Sequence, residues 1–388
     1  MIYLDNAATT LHKPPCVIDA VVNAMQTMGN SGRSAHAESL AASRTIYAAR
    51  EALAALFGCE RADHVCFTAN STEALNIAIS GLLAPGDHVL STDLEHNSVL
   101  RPLYREMERG VSVSFLPADR KGCIDYADFD RLLQTNTKAV ICAAGSNLTG
   151  NLLDLTRIGA FCAAHGLLFV VDASQTAGVF PIDMCAQHIS VLCFTGHKSL
   201  MGPQGTGGII LREDLAGLLT PLLAGGTGSM SHTEFMPDFL PDRLEPGTMN
   251  LPGLAGLHAA LAFLQETGLD IVRAHELALT KHFLDGLAPM QAENRIRIIG
   301  LPGIEGRAGV VSIQPVHQDP AEVAASLDER FGIATRVGLH CAPAAHQALG
   351  TFPTGTIRFS FGFFNTEVDV DRAISALDTL TKEAPHGF

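Results

Sequence analysis

The sequence predicts an α/β protein with a large domain, built on a mostly parallel seven-stranded sheet with helices on its faces, and a smaller C-terminal α+β domain. Three observations predict this. Between about residues 60 and 212, short apolar runs alternate with helical patterns, the signature of parallel strands joined by crossover helices. A Gly-rich, irregular stretch from Leu223 to Asn250 then breaks the alternation. Beyond it, helical patterns over 253–288 lead into a second set of strands and helices. At 388 residues the chain is also too long for one ordinary core. The expected division is 14–264 as the large domain, and 1–13 with 265–388 as the small one.

The expected strands are His64–Thr68, His88–Ser91, Val111–Leu116, Lys138–Ala143, Leu167–Val171, Ile189–Phe194 and Thr206–Leu211. Each is a short run rich in Val, Ile, Leu, Phe or Cys, as strands covered on both faces require. The helices between them include Thr72–Leu83, Asn97–Arg109 and Leu153–His165, each carrying apolar residues at helical spacing.

Composition excludes several classes. With 47% hydrophobic and 17% charged residues, and no fixed repeat, the chain is neither disordered nor a solenoid. The net charge of -14 disfavours nonspecific attraction to nucleic acid or to an anionic membrane. No apolar run reaches a membrane span and no secretory leader pattern opens the sequence, so a cytoplasmic location is expected. Nine cysteines, an odd number, suit reduced thiols. Cys66, Cys142 and Cys193 fall in strand-like runs and Cys162 in an Ala-rich helical stretch. No CxxC or HExxH motif is present, and no structural metal is expected.

In an open α/β sheet, ligands bind beyond the carboxyl ends of the strands. The residues there are Ser71 and Thr72, His96, Asn147, Asp172 with Gln175, and then Thr195, His197 and Lys198. Singly, each reads as an ordinary loop residue, but together they put hydroxyls, imidazoles, an amide, a carboxylate and an amine along one edge. Ser71 and Thr72 open a helix, where free N–H groups favour an anion; a plain N-cap is the simpler alternative. Asp172 ends the buried run LLFVVD and calls for a cationic or hydrogen-bonded partner. Lys198, in TGHK, would supply it as a structural ion pair, or both would serve one cofactor. Pyridoxal 5′-phosphate needs a lysine amine, a carboxylate for its pyridinium nitrogen and a phosphate cup, and all three are present.

Longer strings sharpen this reading: YLDNAATT (3–10), NSTEALN (70–76), EHNS (95–98), SNLTG (146–150), VDASQTAG (171–178), TGHKSLMGPQGTGG (195–208), EPGTMN (245–250) and RVGLHCAP (336–343). With them the sequence resembles the class V, fold type I pyridoxal phosphate enzymes over nearly its whole length, and among them the cysteine desulfurases. The HCA context resembles the group II, SufS-like branch, whose nucleophile sits on a short loop. The resemblance implies Lys198 as the Schiff-base lysine, Asp172 at the pyridinium nitrogen and His96 stacked on the ring. Asn147 and Gln175 would meet the phenolic oxygen. Ser71, Thr72, Thr195 and His197 would hold the phosphate, with Thr248 reaching in from the second subunit of a homodimer. Cys341 would be the nucleophile that takes sulfur from L-cysteine as a persulfide. Arg336, His340 and Arg358 are candidate cations beside it and substrate-binding residues, Arg358 having the planar fork that suits a carboxylate. A sulfur-acceptor protein is the expected partner.

Three rivals remain. A selenocysteine lyase shares fold, cofactor and carboxylate clamp. A C–S lyase would eliminate without a persulfide and dispense with Cys341. A noncatalytic scaffold would show gaps in the cofactor set, and none is found. The segment 227–245 suits an interfacial loop, an active-site loop or a long connection. The sequence leaves open whether Arg33 and His36, in NSGRSAH, reach the substrate pocket across a dimer.

Overall fold

The computed structural model describes residues 1–31 and 36–383. Its elements are β1 (Ile2–Tyr3), α1 (Pro15–Thr27), α2 (Ala37–Leu56), β2 (Val65–Thr68), α3 (Ser71–Leu82), β3 (His88–Thr92), α4 (Asn97–Glu108), β4 (Ser112–Leu116), α5 (Asp128–Leu132), β5 (Thr137–Ala143), α6 (Leu155–His165), β6 (Leu168–Asp172), β7 (Val191–Thr195) and β8 (Gly207–Leu211). They continue with α7 (Leu251–Thr267), α8 (Leu269–Ala292), β9 (Ile296–Ile299), β10 (Val310–Pro315), α9 (Pro320–Phe331), β11 (Ile333–Ala334), β12 (Arg336–Gly338), α10 (Pro343–Leu349), β13 (Thr356–Ser360) and α11 (Glu367–Lys382).

Seven strands form the main sheet in the order β2-β8-β7-β6-β5-β3-β4. Only β8 runs antiparallel to its neighbours. The parallel strands therefore deliver their carboxyl ends to one edge, as the alternation of apolar runs predicts. Strands β2, β3, β7 and β8 are buried at every residue, and helices cover both faces in two separate apolar clusters. Cys66, Cys142, Cys162 and Cys193 belong to these clusters as packing residues. Glycine is required at 207, where a Cβ would lie 2.7 Å from the backbone of Asn70. Without it, β8 could not sit beside the start of α3.

A third cluster unites β1 with α8, α9, α11 and the four-stranded sheet β12-β13-β10-β9. Residues at 2–4 thus pack with chain more than 270 positions away: Ile2 pairs with Ile333, and Ser360 N–H donates to Leu4 O.

Between β8 and α7 the chain has neither long helix nor strand, and one buried ion pair anchors it. Arg50 on α2 donates to both carboxylate oxygens of Glu245 (2.6 and 2.5 Å) and to Val65 O, while Phe67 N–H donates to Glu245. Each charged side chain is 6% exposed. Arg50→Ala strands the carboxylate and is expected to cost about 3–5 kcal/mol in urea unfolding. A loss below about 1 kcal/mol, the level of an exposed pair, would show that the anchor carries no such weight.

Candidate active site

The strand ends enclose a cavity of about 220 Å³. Ser71, Thr72, His96, Asn147, Asp172, Gln175, Thr195, His197 and Lys198 all line it. Thr248 does not: it lines two other cavities, both beside Glu245.

At one end of the cavity stands the first turn of α3. Asn70 caps it by accepting from Glu73 N–H (2.9 Å), and Glu73 returns the bond to Ala69 N–H (2.7 Å). Ser71 turns its hydroxyl to Asp172 Oδ1 (3.3 Å). Ser174 donates to the same oxygen through its N–H (2.9 Å) and its hydroxyl, a turn that the D-x-S spacing could have announced. These three bonds orient the carboxylate and fall on one oxygen. Burial depresses the Lys198 amine to about 8, with Asp172 opposing the shift, so it can lose its proton close to neutral pH.

His96 caps α4, accepting from Ser98 N–H at Nδ1 (3.0 Å). That bond fixes the neutral ring as the Nε2–H tautomer, and burial holds its pKa down to about 4. Burial likewise lowers His197 to about 4; its Nδ1 lies 3.0 Å from Thr9 Oγ1. Both rings are neutral at pH 7. Gln175 donates to Ala7 O (3.1 Å), and Asn147 Nδ2 donates to His340 O (2.7 Å). Asn147 Oδ1 is buried without a hydrogen-bond partner, an orphaned acceptor on the cavity wall.

Cys341 sits outside this lining, exposed, between β12 and α10. Its carbonyl accepts from Asn97 N–H (2.7 Å), which places it one residue from His96. His340 and Cys341 both take positive φ, 47° and 57°, conformations uncommon for side-chain-bearing residues. Arg358 is buried on β13 and donates to Asn147 O (3.0 Å) and Asp5 Oδ1 (2.8 Å). Arg336, its cross-strand partner, is half exposed and 3.9 Å from Asp5.

His340, like Cys341, Arg336 and Arg358, lies outside the cavity lining. Its ring is buried against Thr356 (2.9 Å to Oγ1) and 5.7 Å from the ring of His346, and burial pushes its pKa down to about 2. In this arrangement the imidazole is neutral and packed inward, so the charges nearest the Cys341 loop are those of Arg336 and Arg358. Arg33 lies outside the described residues; His36 caps α2 and pairs with Glu38 in solvent.

Two sets of residues lie in or beside the quoted strings without their surroundings being legible there. Glu95 is fully buried under the site, accepting from Thr92 Oγ1 (2.6 Å) and Ala143 N–H (2.9 Å), and burial, then Asp172, raises it to about 8. The folded state therefore keeps a proton that the unfolded chain, near 4.5, has lost. Between pH 5 and 8 the contribution of Glu95 to stability should fall as pH rises, and Glu95→Gln should flatten that part of the curve of urea midpoint against pH. An unchanged slope would reject the shift. The second set is the segment 5–13: besides its bonds from Asp5, Ala7 and Thr9 it gives Thr10 Oγ1 to Lys198 O (2.8 Å) and Lys13 Nζ to His197 O (3.1 Å). YLDNAATT marks this strap in sequence without revealing what it touches.

Among the described residues, no group of His, Cys, Asp and Glu side chains could hold a metal ion, and no helix is long and apolar enough to cross a membrane. The site is thus an amine beside an oriented carboxylate, two neutral imidazoles and a helix start suited to an anion. This donor set fits an organic, phosphorylated cofactor with a reactive carbonyl.

Comparison with known proteins agrees with this class of site. The model of the class V aminotransferase family matches residues 2–373, and the chain belongs to that family. It is 32% identical over 383 residues to a probable cysteine desulfurase of Methanothermobacter thermautotrophicus, covering 98% of this chain and 94% of that one. The apo structure of the cysteine desulfurase from Thermococcus onnurineus NA1 superposes with a TM-score of 0.90 at 31% identity, covering 98% and 94% of the two chains. The cysteine desulfurase CsdA of Escherichia coli, crystallised as its S-sulfonic acid, gives 0.87 at 30% identity with the same coverage. Relatives and structural neighbours are thus cysteine desulfurases.

Proposed function

We propose that this protein is a pyridoxal 5′-phosphate-dependent cysteine desulfurase, which converts L-cysteine to L-alanine and carries the sulfur away on Cys341. The observation that carries the reading is the pairing, in one cavity, of an amine with a depressed pKa and a carboxylate held by three donors, with a helix start facing them. The orphaned Asn147 Oδ1 supports a bound group at that wall.

Thr72, Thr195 and His197, with the free N–H groups of α3, would hold the phosphate, and the second subunit's copy of Thr248 would complete the cup. Asp172 would sit at the ring nitrogen, neutral His96 on the ring face, and Asn147 and Gln175 at the phenolic oxygen. When bound, the cofactor supplies an electrophilic carbon for an amine and a sink for electrons from the substrate's α-carbon. Lys198 removes the proton from that carbon and later returns one, which its pKa near 8 permits. Arg358 holds the substrate carboxylate. Cys341 Sγ bonds to the substrate sulfur as the C–S bond breaks, leaving a persulfide on the protein.

Further parts belong to the same proposal. Residues 14–264 form one domain and 1–13 with 265–388 the other, with Cys341 on the short loop of the group II branch. The protein acts as a cytoplasmic homodimer, a state supported by the exposed apolar stripe Ile18, Val22 and Met25 on α1. An acceptor protein receives the sulfur, for iron–sulfur cluster assembly or another use.

Product analysis tests the reading. With L-cysteine and a reductant, a desulfurase yields alanine and sulfide in equal amounts. Pyruvate and ammonia in place of alanine would identify a C–S lyase, and turnover of L-selenocysteine alone would identify a selenocysteine lyase.

A further inference from the structure

The strap at 5–13 places a carboxylate where the proposed substrate carboxylate must also be bound. Residues 4–7 are laced to the end of β13: Ala7 N–H donates to Ser360 Oγ (2.8 Å), Asn6 Nδ2 to Ser360 O (2.9 Å), and Tyr3 donates from its hydroxyl to Asp5 O and Thr9 O. This lacing fixes Asp5 opposite Arg358, two residues upstream of Ser360.

Arg358 needs that neighbour. Its side chain is only 3% exposed, and its cross-strand partner is another arginine, Arg336. Two cations side by side on a small sheet, one of them buried, repel and favour a rotamer that carries the buried one to solvent. Asp5 meets both, at 2.8 Å from Arg358 and 3.9 Å from Arg336. With Nη2 on Asp5 and Nη1 on Asn147 O, the guanidinium is held at two corners, while Nε is buried with no partner. A donor kept unpaired in a fixed position is a pre-organised contact for an incoming acceptor.

We infer that Asp5 is the positioning residue for substrate-carboxylate capture: it pins Arg358 between β13 and the strap and leaves the buried Nε without a partner of its own, the donor that the α-carboxylate of an amino acid would satisfy. The inference rests on the reading of Arg358 as the carboxylate-binding residue.

The test uses the holoenzyme and L-alanine, an unreactive amino acid, with binding followed by the change in the cofactor's visible spectrum. Asp5→Asn should weaken L-alanine about tenfold or more while cofactor content per subunit stays at the wild-type level. The loss in kcat/KM for L-cysteine should fall mainly on KM, and Asp5→Glu should restore most of the affinity. In an Arg358→Ala background, Asp5→Asn should have no further effect, because the residue it positions is gone. Equal or tighter binding by Asp5→Asn would overturn the inference, since Asp5 would then only compete with the substrate. If Arg358→Ala itself binds L-alanine as wild type does, the assignment of Arg358 falls and this inference with it. If Arg358→Ala weakens binding and Asp5→Asn does not, only the role of Asp5 falls.

Discussion

Cys341→Ala is expected to fold and to load cofactor like the wild type, yet to release alanine from L-cysteine at least about 10³-fold more slowly. The side chain lost is exposed and lies outside the cavity lining, so neither packing nor the cofactor cup depends on it. What the loop needs structurally is the backbone: the Cys341 carbonyl that accepts from Asn97 N–H survives the substitution, and alanine meets the same cost at φ 57° as cysteine does. The variant therefore isolates the sulfur. Amino-acid analysis of the products, alongside the visible spectrum of both samples, makes the comparison. Undiminished alanine release by a loaded variant would show that no persulfide on Cys341 is needed.

Lys198→Ala is expected to lose activity by a comparable factor or more, because in the proposed mechanism one amine serves both as attachment point and as proton carrier. Borohydride reduction followed by peptide mapping should label residue 198 in the wild type and nothing at that position in the variant. The apoprotein should respond in the opposite direction. With a folded pKa of about 8 and an ordinary value of 10.5, charged Lys198 opposes folding below pH 8, and that opposition fades as pH rises toward 10.5. Removing the amine should abolish the rise of the urea midpoint between pH 8 and 10.5, whatever the cavity it leaves costs at every pH. A variant that kept the wild-type rise in midpoint above pH 8 would contradict the depressed pKa.

The parts of this molecule that were legible in sequence are those whose cause is local. Runs such as LLFVVD and VLCFT are short, apolar and bounded by polar residues, so all seven strands of the main sheet fell within a residue or two of their expected bounds. The strand-end residues followed from the same alternation, since a parallel sheet fixes which edge they occupy. The antiparallel direction of β8 had no such signal, because GTGGIIL reads the same either way.

Burial at long range was not legible. His340 and Arg358 look alike in sequence, polar residues among loop and strand. One is a neutral ring turned inward, and the other a buried cation whose counter-ion lies 353 positions earlier. Glu95 beside His96 reads as one more polar loop residue, and only the third dimension shows a carboxyl with no solvent exposure. Thr248 illustrates the remaining gap: nothing in EPGTMN shows that, within one chain, this residue lines cavities beside Glu245 and not the one at the strand ends.

The lacing of residues 2–10 onto 333–365 also bears on how the protein comes into being. A ribosome delivers the strap well before its partners, so the chain emerges with Asp5, Ala7 and Thr9 waiting for β13 and the Lys198 loop. A nascent chain stalled before residue 358 can complete the seven-stranded sheet but lacks the arginine and the strand against which the strap must lie. On the reading of Arg358 as the carboxylate-binding residue, competence to act on an amino acid thus arrives only after β13 has emerged.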